Sequence, residues 1–226
     1  DRHLCDLELI INGGFNPLTG FMNQNDYDSV VSGMRLSNGS LWPIPITLDI
    51  NDKFVSAISN APKIALRDKE GFILAVLEIE DIWKPDLELE AQSVFGTRDA
   101  KHPGVNYLLN TSNKNYIGGR IKKVSAPHHY DFHELRHSPD ELKSIFKKNK
   151  WNKVIAFQTR NPIHKAHFEL TTQAMKELNA NLLIHPVVGM TKPGDVNHYT
   201  RARCYGHIMK EYPKSSAFLS LLPLAM

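Results

Sequence analysis

Phe157-Gln158-Thr159-Arg160-Asn161-Pro162-Ile163-His164-Lys165-Ala166-His167 decides how this 226-residue chain is read. Before it lies a short apolar run, residues 154–157. After it His167, Leu170, Ala174 and Leu178 recur at a helical period, so the segment predicts strand, loop and helix. Downstream, residues 181–188 read as a second buried strand, 197–212 as a second helix and 217–222 as a third strand. Alternating strands and helices with short joins imply parallel strands and right-handed crossovers. This is one half of a doubly wound sheet, in which ligands sit beyond the carboxyl ends of the strands. Residues 158–162 and 189–197 fall at those ends.

The types in the first loop suit an anion. A loop that opens a helix offers free backbone N–H groups and the positive end of the helix dipole. Gln158, Thr159 and Asn161 add neutral donors, and Arg160 adds a permanent planar cation matched to oxyanions. Pro162 lacks an N–H and stiffens the turn. His164 and His167 stand three apart, a spacing that shares one helix face. The same pair can ligate metal, but no Asp, Glu or Cys nearby completes a set, and helical metal pairs are usually four apart. The bland reading is a capped helix with one buried His and a surface Arg. No Gly-rich phosphate loop and no nucleophile elbow is present, so phosphate handling must come from another source.

Residues 1–127 have a different texture. Short strand-like runs at 7–11, 44–48, 63–66, 73–79 and 116–124 alternate with turn signals such as Gly13-Gly14, Ser37-Asn38-Gly39 and Gly118-Gly119. Even spacing predicts a small β-barrel or sandwich with a few short helices, one of them over 25–33. A linker spans 126–137. Ser138-Pro139-Asp140-Glu141 then carries a capping box and a proline at the first helical position. The expected domains are 1–127, β-rich, and 128–226, α/β and incomplete. Both ends read as interior points of a longer polypeptide, because the chain starts at Asp1 and stops on Leu-Leu-Pro-Leu-Ala-Met.

Composition excludes several classes. A formal charge of +3 is too small to argue for nucleic acid, and aromatic–basic interleaving is lacking. No apolar run nears the roughly 18–20 residues of a membrane span. Cys5 and Cys204 give no disulfide framework and read as buried small residues. Thr191-Lys192-Pro193-Gly194-Asp195 reads as a turn, with closure over a ligand as the alternative. Arg201 and Arg203 read as a solvated or interface face. His128 and His129 read as ordinary linker histidines rather than metal ligands. Lys143, Lys147, Lys148 and Lys150 read as a wet helix face.

Gln158-Thr159-Arg160-Asn161-Pro162 followed by His164 and His167 resembles the ATP sulfurylase (sulfate adenylyltransferase) family, fungal and bacterial single-function type. Leu4-Cys5-Asp6-Leu7-Glu8-Leu9-Ile10, Gly13-Gly14-Phe15-Asn16-Pro17-Leu18-Thr19-Gly20-Phe21, residues 185–195 and residues 218–223 agree with it. The resemblance implies an α/β plus β fold: a β-barrel-like (PUA-like) domain, then a partial Rossmann-like nucleotidyltransferase domain with a parallel sheet. It implies sulfate attack on the α-phosphate of ATP, giving adenosine 5′-phosphosulfate and pyrophosphate, the first step of sulfate assimilation towards cysteine. Gln158 and Arg160 would bind sulfate. Thr159, Arg160, Asn161, His164 and His167 would be catalytic, and with Gln158 would bind ATP. Mg²⁺ would arrive with ATP rather than at a protein metal site. A cytoplasmic homo-oligomer without nucleic-acid or membrane partners is further implied. The family pattern continues into a Gly-Arg-Asp-His type loop and a basic segment that this sequence lacks. The alternative is a nucleotide- or anion-binding fragment without catalysis.

Overall fold

The computed structural model describes residues 2–189 and 194–225. In chain order the elements begin with α1 (Arg2–Ile11), β1 (Gly20–Phe21), α2 (Gln24–Gly33), β2 (Leu48–Ile50) and α3 (Asp52–Ala57). Then come β3 (Lys63–Arg67), β4 (Ile73–Trp83), α4 (Leu87–Phe95), α5 (Pro103–Asn106) and β5 (Asn115–Lys123). Last are α6 (Pro139–Lys148), β6 (Val154–Thr159), α7 (Lys165–Leu178), β7 (Asn181–Pro186), α8 (His198–Ile208) and β8 (Ala217–Leu219). Two compact units result: Asp1–Gly14 with His128–Met226, and Phe15–Pro127.

The Phe15–Pro127 unit is built on an antiparallel sheet of five strands. Its order is β1-β5-β4-β3, and β2 also pairs with β5. Ile50, Ile58, Leu77 and Ile117 are buried together on it. Gly118-Gly119, expected as a turn, lies inside β5. A Cβ on Gly118 would sit 2.2 Å from the Met22 carbonyl oxygen, and one on Gly119 2.0 Å from that of Glu78. Neighbouring backbone approaches so closely there that only glycine fits. Under this sheet the phenols of Tyr27 and Tyr116 each donate to Glu90 Oε2, at 2.9 Å. Burial, then the Glu90 carboxylate, pushes the Tyr27 phenol well above its ordinary value, so it stays a donor.

In the other unit three parallel strands run in the order β6-β7-β8. β7 is the middle strand, and Leu182 and Ile184 are fully buried with Tyr205, Tyr212 and Leu219. A strand covered on both faces reads as a continuous apolar run, which is why the sequence pointed to it. Ser138 caps α6 as expected, with Glu141 Oε2 accepting from the Ser138 N–H at 2.7 Å.

Several expectations change. Residues 7–11 belong to α1, not a strand, because burying Asp6, Leu7, Leu9 and Ile10 on one side follows a helical period. α1 also groups with the α/β unit rather than with the β-rich one. Its Glu8 carboxylate meets His129 Nε2 at 2.9 Å, and the segment after β7 passes Cys5 so closely that a Cβ on Gly189 would lie 2.9 Å from Sγ. Residues 44–47 are not strand, since β2 begins at Leu48. The α4 helix, which the sequence reading passed over, is capped by Asp86, which accepts from the Leu89 N–H, and closed by Gly96 in the left-handed region. The buried stripe of α7 is Phe168, Thr171 and Met175, whereas Leu170 and Leu178 are exposed. Tyr212 sets that rotation: its ring lies 4.8 Å from Phe168 and its hydroxyl 2.8 Å from Thr171 Oγ1.

Candidate active site

β6 and β7 run in register, Gln158 beside His185 and Thr159 beside Pro186, so both following loops open at the carboxyl end of the parallel sheet. Cys204 in α8 is exposed and Cys5 half-buried, so neither is the buried small residue expected. Of the second loop, residues 190–193 lie outside the described residues, and with them the Thr191-Lys192-Pro193 part of the closure reading.

The first loop turns on Thr159. Its Oγ1 accepts from the Asn161 N–H at 3.1 Å and donates to the Asn161 carbonyl at 3.2 Å. His164 is the residue before α7, in extended backbone (φ −85°, ψ 159°), rather than part of its first turn. A reciprocal capping box is built from imidazoles. The Ala166 N–H donates to His164 Nδ1 and the His164 N–H to His167 Nδ1, both at 3.2 Å. An Nδ1 that accepts has its lone pair engaged, so each neutral ring carries its proton on Nε2. The rings lie 6.4 Å apart at 80°.

This arrangement corrects one expectation. The loop and helix start do not offer a row of free N–H groups: those of Asn161, His164 and Ala166 are spent on side chains, and those of His167 and Phe168 on the His164 carbonyl. An anion approaching this loop would meet side chains rather than a row of backbone donors. Arg160 is the cation of the loop, with Nε 3.8 Å from Asp195 Oδ2, an ion pair too long for a hydrogen bond. Gln158 is exposed and Arg160 and His167 half-exposed, so the side chains expected to act together do emerge from one strand end and one helix cap.

Three residues matter that sequence reasoning set aside or passed over. Arg201 is not on a solvated face. It is 1% exposed, and it donates from Nη1 to the carbonyls of Arg160 at 2.8 Å and Val187 at 2.7 Å, and from Nε to Val196 at 2.8 Å. Tyr205, one helical turn on and fully buried, donates to the Asn161 carbonyl at 2.6 Å. Burial raises its phenol above the ordinary value against the opposing Arg201 charge, so it remains a hydroxyl. Burial holds His185 below the ordinary imidazole range, partly opposed by a backbone bond to Leu221, so a neutral ring stands beside Gln158. An arginine in the second turn of an amphipathic helix carries no signal that separates a buried guanidinium from a wet one. Only the tertiary partners do.

Known proteins resemble both parts of the chain. A PUA-like domain model matches residues 1–126 and an ATP-sulfurylase model residues 133–226. The sulfate adenylyltransferase of Saccharomyces cerevisiae is 52% identical over 225 residues, covering 100% of this chain and 44% of that protein. That of Schizosaccharomyces pombe is 53% identical over 228 residues, covering 100% and 46%. Among solved structures, one described as a hexameric APS kinase from Thiobacillus denitrificans superposes with a TM-score of 0.79 at 32% identity, over 99% of this chain and 40% of that one. The molecule is thus a PUA-like domain joined to an ATP-sulfurylase domain that contains a parallel sheet. The chain belongs to the sulfate adenylyltransferase (ATP sulfurylase) family, and it spans under half the length of the curated relatives it matches.

Proposed function

We propose that this chain supplies one wall of a sulfate adenylyltransferase site, where sulfate attacks the α-phosphate of ATP in line and pyrophosphate leaves. The observation that carries this reading is the imidazole capping box beside Arg160. Sulfate is fully ionised at neutral pH and needs no base to become a nucleophile. With each Nδ1 already accepting a backbone hydrogen bond, neither ring is set up to abstract a proton. Each instead has an Nε2–H donor for phosphate oxygens. The barrier is electrostatic, a dianion approaching a polyanion, so catalysis is alignment plus charge neutralisation.

In this reading Gln158 and Arg160 hold sulfate, and Arg160 also meets the ATP phosphates. Thr159 and Asn161 shape the loop through their mutual hydrogen bonds, and His164 and His167 donate to the ATP phosphates as charge shifts to the leaving pyrophosphate. Magnesium chemistry favours oxygen ligands and usually keeps several waters. Among the described residues no group of three or more His, Cys, Asp or Glu side chains could hold a metal; in this reading the ion comes bound to the triphosphate. Mg²⁺ would supply further charge neutralisation there. The finer fold assignments, barrel-like and Rossmann-like, a cytoplasmic setting and a homo-oligomer belong to this same proposal.

The test is sulfate-dependent exchange of labelled pyrophosphate into ATP, measured on a polypeptide extending this chain to the length of its relatives. Exchange that does not depend on sulfate would defeat the assignment. The second reading, an anion- or nucleotide-binding piece without catalysis, is favoured for the chain alone by its coverage of under half of each relative. A pyrophosphate-release assay on the chain alone should show negligible turnover; normal turnover would contradict that expectation.

A further inference from the structure

We infer that Arg201 and Tyr205 are positioning residues that clamp the 159–161 loop from behind, so that Arg160 is presented to an anion, and that the buried Arg201 charge adds to the field at that loop. This deepens the anion-site reading above and rests on it.

The backbone between Arg160 and Pro162 is fully assigned. The Arg160 carbonyl takes the Arg201 Nη1 hydrogen bond, and the N–H of the same peptide, on Asn161, donates to Thr159 Oγ1. The next carbonyl, of Asn161, takes the Tyr205 hydroxyl, and the residue that follows, Pro162, has no N–H. Neither peptide can tilt without leaving a polar group unpaired. The same guanidinium also holds the Val187 and Val196 carbonyls, so the first loop, the end of β7 and the residue before the α8 cap are fastened to one planar fork.

The charge of Arg201 is answered by carbonyls, which satisfy its donors without neutralising it. Among the described residues no ion pair to Arg201 is found, whereas Arg136, in the same unit, has Asp131 at 2.8 Å. A buried cation costs several kcal/mol of desolvation, and packing alone is as well served by apolar groups. Placed against the Arg160 carbonyl, it attracts an anion on the other side of the loop, and burial limits screening.

The test uses this chain with inorganic pyrophosphate as probe, titrated calorimetrically. Thermal unfolding and amide hydrogen exchange over residues 159–168 run in parallel. Tyr205→Phe removes one hydroxyl and keeps the buried ring. Arg201→Lys keeps the charge but its single ammonium cannot span three carbonyls, and Arg201→Met removes both. Arg160→Ala is the reference for the site itself. Tyr205→Phe should unfold close to the parent, exchange the Asn161 amide about tenfold faster and bind pyrophosphate about five- to tenfold more weakly. Arg201→Lys should bind better than Arg201→Met. If Arg160→Ala abolishes binding while Tyr205→Phe keeps both parental exchange and parental affinity, the clamp is wrong and the site reading survives. Equal affinities for Arg201→Lys and Arg201→Met remove the charge part. A parent that takes up no pyrophosphate, or one indifferent to Arg160→Ala, ends the site reading and the positioning role with it. Should the Arg201 variants fail to fold, Tyr205→Phe decides alone.

Discussion

Each of the two units holds a buried ionisable group met by uncharged groups, and they use it differently. In Phe15–Pro127, Glu90 is met by two phenols among packed aromatic rings, with Trp83 5.6 Å from Tyr27 and 5.7 Å from Tyr116. In the α/β unit, Arg201 is met by three carbonyls, one of them belonging to the loop that carries Arg160. The carboxylate joins side chains to side chains, so its network orders a core. The guanidinium joins a side chain to backbone at the mouth of a parallel sheet, so its network orders the loop proposed as the anion site. The lesson is that burial alone does not distinguish structure from function; what the buried group grips does.

The largest test of that contrast is catalytic. Arg160→Ala or His167→Ala, in a polypeptide complete enough to turn over, should cut sulfate-dependent exchange by about 10²–10³; Arg160→Ala should leave the unfolding midpoint near the parent's, whereas His167→Ala also removes the acceptor for the His164 N–H and should lower stability by the roughly 0.5–2 kcal/mol of a lost cap. Activity within tenfold of the parent would refute the assignment. Glu90→Ala is the opposite case. It strands two buried hydroxyls, so urea unfolding should report a loss of about 2–4 kcal/mol with pyrophosphate affinity unchanged. An affinity that falls with it would blur the division between the two networks. A smaller effect is set by pH. At Asp131 burial acts to raise the carboxyl, but the hydrogen bonds from Arg136 and His198 outweigh it and leave the value below the ordinary one. A depressed carboxyl contributes stability that is present above its unfolded value of about 3.9 and is lost as pH falls through the folded value. Asp131→Asn should therefore be less stable than the parent at pH 7, with the gap closing below about pH 4; a gap constant from pH 7 to pH 3 would count against the pairing. The smallest effect concerns Asp195, whose Oδ2 lies 3.8 Å from Arg160 Nε. Asp195→Asn should tighten pyrophosphate binding by about two- to fivefold at low salt, fading as salt rises, because half-exposed pairs are screened.

Much of the α/β unit was legible. The Ser138 box, the apolar run of β7 and the strand–loop–helix around residues 157–167 all depend on nearest neighbours in sequence. Misreadings occurred where one pattern fits two structures. Residues 7–11 suit a strand by composition, but one-sided burial makes a helix of them. Leu170 and Leu178 have the period of a buried stripe, yet Tyr212 turns the α7 helix so that Phe168 and Thr171 face inward instead.

The order of residues by itself determined that Arg160, His164 and His167 stand between a strand and a helix, because those elements are local. Folding in three dimensions decided how they are held. The imidazoles cap their own helix, and a guanidinium from residue 201, distant along the chain, takes the carbonyl behind Arg160. A hydrogen bond between segments 41 residues apart leaves no periodicity to read; it exists only once the sheet has brought the two loops together.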